Sequence, residues 1–405
     1  VNFSDLSEKI KNNIANREQK LVEPFKIAVE EEVLQDLKAR LRQTRFAPDF
    51  GNADWGYGTN GDYLRELIRY WAEDYDWRKH EREMNGFAHF RTVIDQVPVH
   101  FIHERGRGPN PVPLIMTHGW PWTFWDLQKV IRPLTDPAAY GADPADAFDV
   151  IVPSLPGFGF STPLSTGVNF VRTADLWMKL MQQELGYDKF FAQGGDFGAF
   201  VTAQLGHKYS DSVLGVHIHL AGPLGMITGG MPDESMFGPD EAHWPAANAL
   251  FFDQESAYSR LQSTKPQTLA YGMNDSPAGL AAWLLEKRRR WSDCGGDVER
   301  RFSKDDLLTS MTLYWATQSF GTAARFYAEA RRNPWTASHD RKPVVQSPTA
   351  VLLFERDIVK LPRRWAEGYY NLKRWNVAPV GGHFVPMEEP DILVNDLREF
   401  YRGLR

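Results

Sequence analysis

Cysteine is almost missing from this chain. Cys294 stands alone among 405 residues, so neither an intramolecular disulfide nor a cysteine-based metal cluster can form. That fits a reducing compartment, and a cytoplasmic location is the expectation. An excess of positive charge is missing too. Forty-six Lys and Arg against fifty-two Asp and Glu leave a formal charge of −6, with no long basic run, which argues against nucleic acid as a partner. No apolar run approaches the roughly 20 residues that span a bilayer. Val1-Asn2-Phe3-Ser4-Asp5-Leu6 is polar where a signal peptide would be apolar, so no membrane anchor is expected. There is no internal repeat and no low-complexity segment. Aromatic residues, by contrast, are abundant at 13%, fourteen of them tryptophan, a content that suits an aromatic-lined pocket as well as an aromatic-rich core. The length allows a large core and two or three structural units.

One pentapeptide carries most of the information. Gly194-Gly195-Asp196-Phe197-Gly198 has the spacing of a nucleophile elbow, with aspartate where an esterase has serine. Small flanking residues are required because the nucleophile sits on a strained turn between a strand and a helix. Alone, the peptide also reads as an ordinary tight turn. Its surroundings favour the elbow: Lys189–Gln193 is a short apolar run suited to a buried strand, and Ala199–Leu205 has helical spacing. A carboxylate there can attack an epoxide or alkyl halide carbon, giving an ester that water must then cleave.

The chain around it alternates strand and helix. Helical stripes appear at Val33, Leu34, Leu37 and Leu41 and at Tyr63, Leu67, Tyr70 and Trp71, joined by a glycine-rich linker. Phe87–Arg105 alternates as a strand or hairpin. Apolar runs at Val112–Met116, Phe148–Val152 and Phe190–Gln193 each lead into a glycine loop and then helical sequence, and Val213–Leu220 is the next strand. This predicts a doubly wound, mostly parallel α/β sheet. Strands return at Thr349–Phe354 and Val377–Val380, before a closing helix over Asp391–Tyr401. The expected division is a helical meander with the first strands (1–105), a first core part (106–221), a helical insertion over the sheet (222–333) and a second core part (334–405).

An ester at Asp196 needs a water-activating base, oriented by an acid, in the chain order nucleophile, acid, histidine. Only His383, in Gly381-Gly382-His383, follows the last expected strand. The strand ending Phe354-Glu355-Arg356-Asp357 offers two acids at its carboxyl edge. Asp357 is favoured because it lies farther into the loop, and Glu355 is the alternative. His118-Gly119-Trp120-Pro121 ends an early strand, so the backbone N–H groups of Trp120 and Phe197 are candidates for an oxyanion hole. Pro121 is expected to be cis. Opening an epoxide also needs a proton donor, and tyrosine stays protonated at neutral pH. The insertion holds Tyr258, Tyr271, Tyr314 and Tyr327, and spacing does not choose among them. On one unbroken helix over 305–327, Tyr314 and Tyr327 would point roughly 140° apart.

These motifs together resemble the microsomal-type epoxide hydrolase family, an α/β-hydrolase with a helical lid and a helical amino-terminal segment wrapping the core. The resemblance also rests on Glu255-Ser256-Ala257-Tyr258, Gln262-Ser263-Thr264-Lys265-Pro266, Asn274-Asp275-Ser276-Pro277 and Arg325-Phe326-Tyr327. It implies that Tyr258 and Tyr327 donate the protons, selects Asp357 as the acid, and implies no metal or organic cofactor. The lack of an apolar anchor resembles the soluble branch. The implied reaction turns an apolar, aryl-substituted epoxide and water into a vicinal diol, with Trp122 and Phe197 as candidate pocket residues. A haloalkane dehalogenase would share Asp196 and His383, but usually has a tryptophan where Phe197 stands. A non-catalytic binding protein would typically have lost a member of the triad. A homodimer is the base-rate expectation for assembly.

Overall fold

The computed structural model describes residues 22–226 and 231–405. The polar opening Val1–Leu6 lies outside them. Nine strands run β1 (Glu23–Phe25), β2 (His89–Ile94), β3 (Val97–Glu104), β4 (Val112–Thr117), β5 (Phe148–Pro153), β6 (Phe190–Gly195), β7 (Val213–His219), β8 (Val345–Phe354) and β9 (Tyr370–Ala378). They form one sheet in the order β1-β2-β3-β5-β4-β6-β7-β8-β9. From β5 to β9 neighbours are parallel, while β1, β2 and β3 add an antiparallel edge. Every residue of β5 and β6 is buried, the mark of a strand covered on both faces. β5 lies on one side of β4 and β6 on the other, so the winding reverses there. A crevice opens at such a point beyond the carboxyl ends of the strands.

The amino-terminal segment supplies α1 (Glu31–Arg42), α2 (Gly61–Glu73) and α3 (Trp77–Met84). Both expected stripes point inward, with Leu34, Leu37 and Leu41 buried on α1 and Leu67 and Trp71 on α2. Each such side chain stabilises the fold by about 1.5–3 kcal/mol. The expectation missed β1, whose three residues pair with β2 at the sheet edge. The β2–β3 hairpin turns at Asp95 and Gln96, both at positive φ, as a tight two-residue turn requires.

Helices α4 (Gln128–Thr135), α5 (Phe170–Lys179) and α6 (Phe197–Lys208) connect the central strands. Between β7 and β8 come α7 (Trp244–Gln254), α8 (Ala257–Thr264), α9 (Pro266–Asp275), α10 (Pro277–Trp291), α11 (Lys304–Ala316) and α12 (Phe320–Arg332). The amino-terminal helices clamp this insertion through α11. Trp71 Nε1 donates to Thr312 Oγ1 at 3.0 Å, and Tyr70 and His80 reach Asp305 at 2.9 and 3.1 Å. After β8 follow α13 (Arg363–Tyr369), β9, α14 (Val385–Glu388) and α15 (Pro390–Arg402).

Two expectations are corrected. The last strand is Tyr370–Ala378 rather than Val377–Val380. It is an edge strand with Lys373 and Arg374 toward the middle, so no apolar run marks it. The segment 305–327 is not one helix, because Thr317, Gln318 and Ser319 separate α11 from α12 and Gln318 takes a φ of 51°. Among the described residues, no helix is long and apolar enough to cross a membrane.

Candidate active site

Asp196 sits between β6 and α6 with φ 51° and ψ −127°. A non-glycine residue there costs about 1–3 kcal/mol and persists only where its surroundings fix it. Here the glycines do so. A Cβ on Gly194 would lie 2.1 Å from the Gly198 carbonyl oxygen, one on Gly198 1.9 Å from that of Thr117, and one on Gly195 1.8 Å from His219 Nε2. No side chain fits at these three places, so the turn keeps Asp196 at the carboxyl edge of the sheet.

The loop after β4 comes over the same carboxylate. Trp120 N–H donates to Asp196 Oδ1 at 2.8 Å, and the Trp120–Pro121 peptide is cis. A Cβ on Gly119 would lie 2.3 Å from Asp196 Cβ, so only glycine permits this approach. His118 fixes the loop from beneath. Its Nε2 accepts the Leu155 N–H at 3.0 Å, which leaves Nδ1 to donate to the Gly119 carbonyl at 2.9 Å. Burial pushes its imidazole down to about 4, so it stays neutral and holds that tautomer. Phe197 opens α6, and its N–H has no carbonyl one turn back to accept it.

His383 and Asp357 complete the floor. His383 Nδ1 bonds Asp357 Oδ1 at 2.8 Å, and its Nε2 stands 3.4 Å from Asp196 Oδ2. Burial alone would push the imidazole down. The charge of Asp357 and the hydrogen-bonding carboxylates of Asp196 and Asp357 outweigh it and raise His383 to about 9. Glu355, the alternative acid, turns outward to His243 at 2.5 Å and toward Trp244.

Two of the four candidate tyrosines face the floor. Tyr258 on α8 and Tyr327 on α12 line one cavity with Asp196, their rings edge-to-face at 5.9 Å. Tyr258 stacks on Trp120 at 5.0 Å, and Tyr327 meets Phe197 edge-on at 4.5 Å. Burial, reinforced by the nearby Asp196 charge, raises both phenols well above the ordinary tyrosine value, so both keep their protons. Tyr314 instead donates to the Trp122 carbonyl at 2.9 Å, and Tyr271 is exposed at 71%. The cavity measures about 410 Å³, the size of a pocket for a small organic ligand.

Trp122 does not line this cavity. It is fully buried behind the site, stacked on His219 and edge-on to His383, so its place is packing. Phe197 does line it, beside Phe200, Leu220, Met226, Phe251 and Phe252.

Several supporting residues escaped sequence reasoning. Glu388 accepts the N–H groups of Gly382, Phe384 and Asp293 at 3.0, 2.8 and 2.7 Å, bracketing His383 on both sides. Burial raises its carboxyl to about 6 despite these donors. Asn248 on α7 clasps Lys360, accepting its N–H at 3.0 Å and donating to its carbonyl at 2.7 Å. Lys360 Nζ in turn donates to the carbonyls of Glu355 and Asp357, so the acid loop is tied to the insertion. The Trp291 carbonyl accepts the His383 N–H at 2.8 Å. A polar residue in a helix or loop carries no sequence signal of which backbone it will meet.

Residues 22–127 match the family described as epoxide hydrolase N terminus, and residues 112–390 match the one described as alpha/beta hydrolase fold. A protein of Stigmatella aurantiaca is 40% identical over 386 residues, covering 95% of this chain and 86% of its own. Epoxide hydrolase 1 of Oryctolagus cuniculus is 35% identical over 410 residues, covering 95% and 89%. The crystal structure of juvenile hormone epoxide hydrolase from the silkworm Bombyx mori superposes with a TM-score of 0.85 at 28% identity, covering 97% of each chain. With both family segments present in order and curated relatives aligned along nearly its full length, this chain belongs to the epoxide hydrolase family, built on an α/β-hydrolase fold.

Proposed function

We propose that the protein hydrolyses an apolar epoxide to a vicinal diol through a covalent ester on Asp196. The observation that carries this reading is a single arrangement. One Asp196 oxygen is held by a backbone N–H, the other faces His383, and two protonated phenols share the cavity with it.

In the first half-reaction Oδ2 of Asp196 attacks a ring carbon, because Oδ1 is engaged by Trp120. The ring C–O bond breaks, and the released oxygen takes a proton from the Tyr258–Tyr327 pair. Phenols held in the protonated form can polarise the epoxide oxygen without competing as nucleophiles. In the second half-reaction His383, oriented by Asp357, takes a proton from water. The resulting hydroxide adds to the ester carbonyl carbon. The oxyanion forms at Oδ1, where Trp120 N–H and Phe197 N–H stabilise it. The acyl C–O bond then breaks, the leaving oxygen takes a proton from His383, the new Asp196 carboxyl returns its own proton to the imidazole, and the diol leaves.

The two steps are coupled electrostatically. While Asp196 is ionised, two carboxylates hold His383 in its protonated form near neutral pH. Alkylation removes the Asp196 charge, which lowers the proton affinity of His383; its proton passes to the tyrosinate left by ring opening, which restores the phenol and frees the imidazole as the base. Catalysis in this reading uses side chains, two backbone N–H groups and water.

The aromatic part of the cavity wall, Phe197, Phe200, Phe251 and Phe252, favours an aryl-substituted or similarly bulky apolar epoxide. The test is diol formation from styrene oxide by the wild-type chain and by Asp196→Ala. Diol from the first and none from the second is expected. Chloride release from a haloalkane, with no diol from any epoxide, would replace this reading with a dehalogenase.

A further inference from the structure

The cavity has a second end that hydrolysis itself does not use. Arg260 and Arg331 line it, both are exposed, and neither side chain carries a hydrogen bond or ion pair among the described residues. Asp196 is the only carboxylate among the described residues lining the cavity, and it stands at the floor.

The two arginines come from the same helices as the two phenols. α8 carries Tyr258 and Arg260, and α12 carries Tyr327 and Arg331. Residues four apart share a helix face, so Arg331 lies one turn, about 5.4 Å, beyond Tyr327 toward the end of α12. The rest of the lining is uncharged, largely apolar with Phe252, Met226 and Leu220 among its members, and with Ser256, Ser259 and Ser263 as neutral polar ones. Each helix contributes one buried phenol and one exposed guanidinium to the cavity lining.

Unpaired guanidiniums on the exposed side of a cavity whose other lining groups, Asp196 apart, are uncharged attract anions and raise their local concentration. We infer that the preferred substrate is amphipathic: an epoxide at one end, an apolar body, and an anionic head group, in the simplest case a carboxylate, held by Arg260 and Arg331. This rests on the epoxide-opening reading above and adds the substrate class to it. Head-group binding at the mouth would set which end of the molecule enters first, and so which ring carbon meets Asp196.

The test is a series of terminal epoxides bearing a carboxylate at the far end, with increasing chain length, each measured beside its methyl ester. The readout is the ratio of kcat/KM for acid over ester. At low ionic strength and the best chain length it is expected to exceed unity by on the order of tenfold. It should fall toward one in Arg260→Gln/Arg331→Gln, fall below one in Arg260→Glu/Arg331→Glu, and shrink with added salt. A ratio near or below one at every length in the wild type would overturn the inference while leaving hydrolysis intact. So would a high ratio that survives both double substitutions. If neither acids, esters nor styrene oxide are opened, the hydrolase reading itself fails, and this inference with it.

Discussion

The floor and the roof of this cavity are held by different forces. Asp196, Trp120 and His383 are fixed through the main chain: a backbone donor on the carboxylate, a left-handed residue at the elbow, and three N–H groups gathered by Glu388 around the histidine loop. Gly119, Gly194, Gly195 and Gly198 leave no room for a methyl group. Tyr258 and Tyr327 are fixed instead by ring packing on Trp120 and Phe197 and by the faces of two helices. The difference teaches what each region tolerates. A floor set by backbone should fail completely when altered. A roof set by packed rings, with two similar donors, should lose activity in steps.

The largest expected effect comes from removing the proposed nucleophile. Asp196→Ala should lower turnover by about 10⁴-fold or more, with substrate binding retained, as seen by comparing steady-state rates with ligand titration. A residual rate within tenfold of wild type would break the account of the floor. His383→Gln should lower turnover by about 10³-fold but still accept the substrate on Asp196. Intact-protein mass spectrometry should then find one substrate mass added per chain. Absence of the adduct would mean the histidine is needed before the ester forms.

The roof should respond more gently. Tyr258→Phe or Tyr327→Phe alone should slow the alkylation step by about 10²-fold or less, and the double substitution by more, without accumulating ester. Equal and complete loss in either single variant would erase the distinction between floor and roof. Below these comes Glu388→Gln. It presents an amide N–H₂ to backbone donors, so about 1–3 kcal/mol of stability and a several-fold loss in kcat are expected, measured by denaturant unfolding and kinetics.

The smallest effect is electrostatic. A His383 raised to about 9 from its usual value near 6.5 stabilises the fold fully below about pH 6.5, and that contribution is lost as pH rises through about 9. Asp196→Ala removes one of the carboxylates responsible, so the NMR titration of His383 should move to lower pH and the pH window of stabilisation should narrow. An unmoved titration would mean that Asp357 alone sets the histidine.

The same division explains how much of the site was legible in the sequence. Floor residues follow strands whose order suggests their proposed roles, and the tight turns leave glycines as visible marks. Asp196, Asp357 and His383 could therefore be read from position, and the structure brings all three together. Roof residues left only a choice of four tyrosines, which resemblance to a family narrowed and spacing could not. The break at Gln318 redirects α12 with no proline beside it, and Gly321 falls inside α12 rather than at the turn. Aromatic character points to Trp122 for the pocket, although a tryptophan next to the His118–Pro121 loop can as readily fill the core behind it. Edge strand β9 is hard to read because Lys373 and Arg374 interrupt any apolar run. Glu388 and Asn248 were invisible because their partners are backbone groups distant in space until the chain folds.

The central claim is that Asp196 becomes esterified, and one measurement addresses it directly. A single turnover of styrene oxide with excess enzyme in ¹⁸O-water, with diol and peptides analysed by mass spectrometry, separates the two possible routes. The account predicts unlabelled diol and ¹⁸O retained in the peptide that contains Asp196. Label in the diol and none in that peptide would show that water attacks the epoxide itself, and would contradict the account.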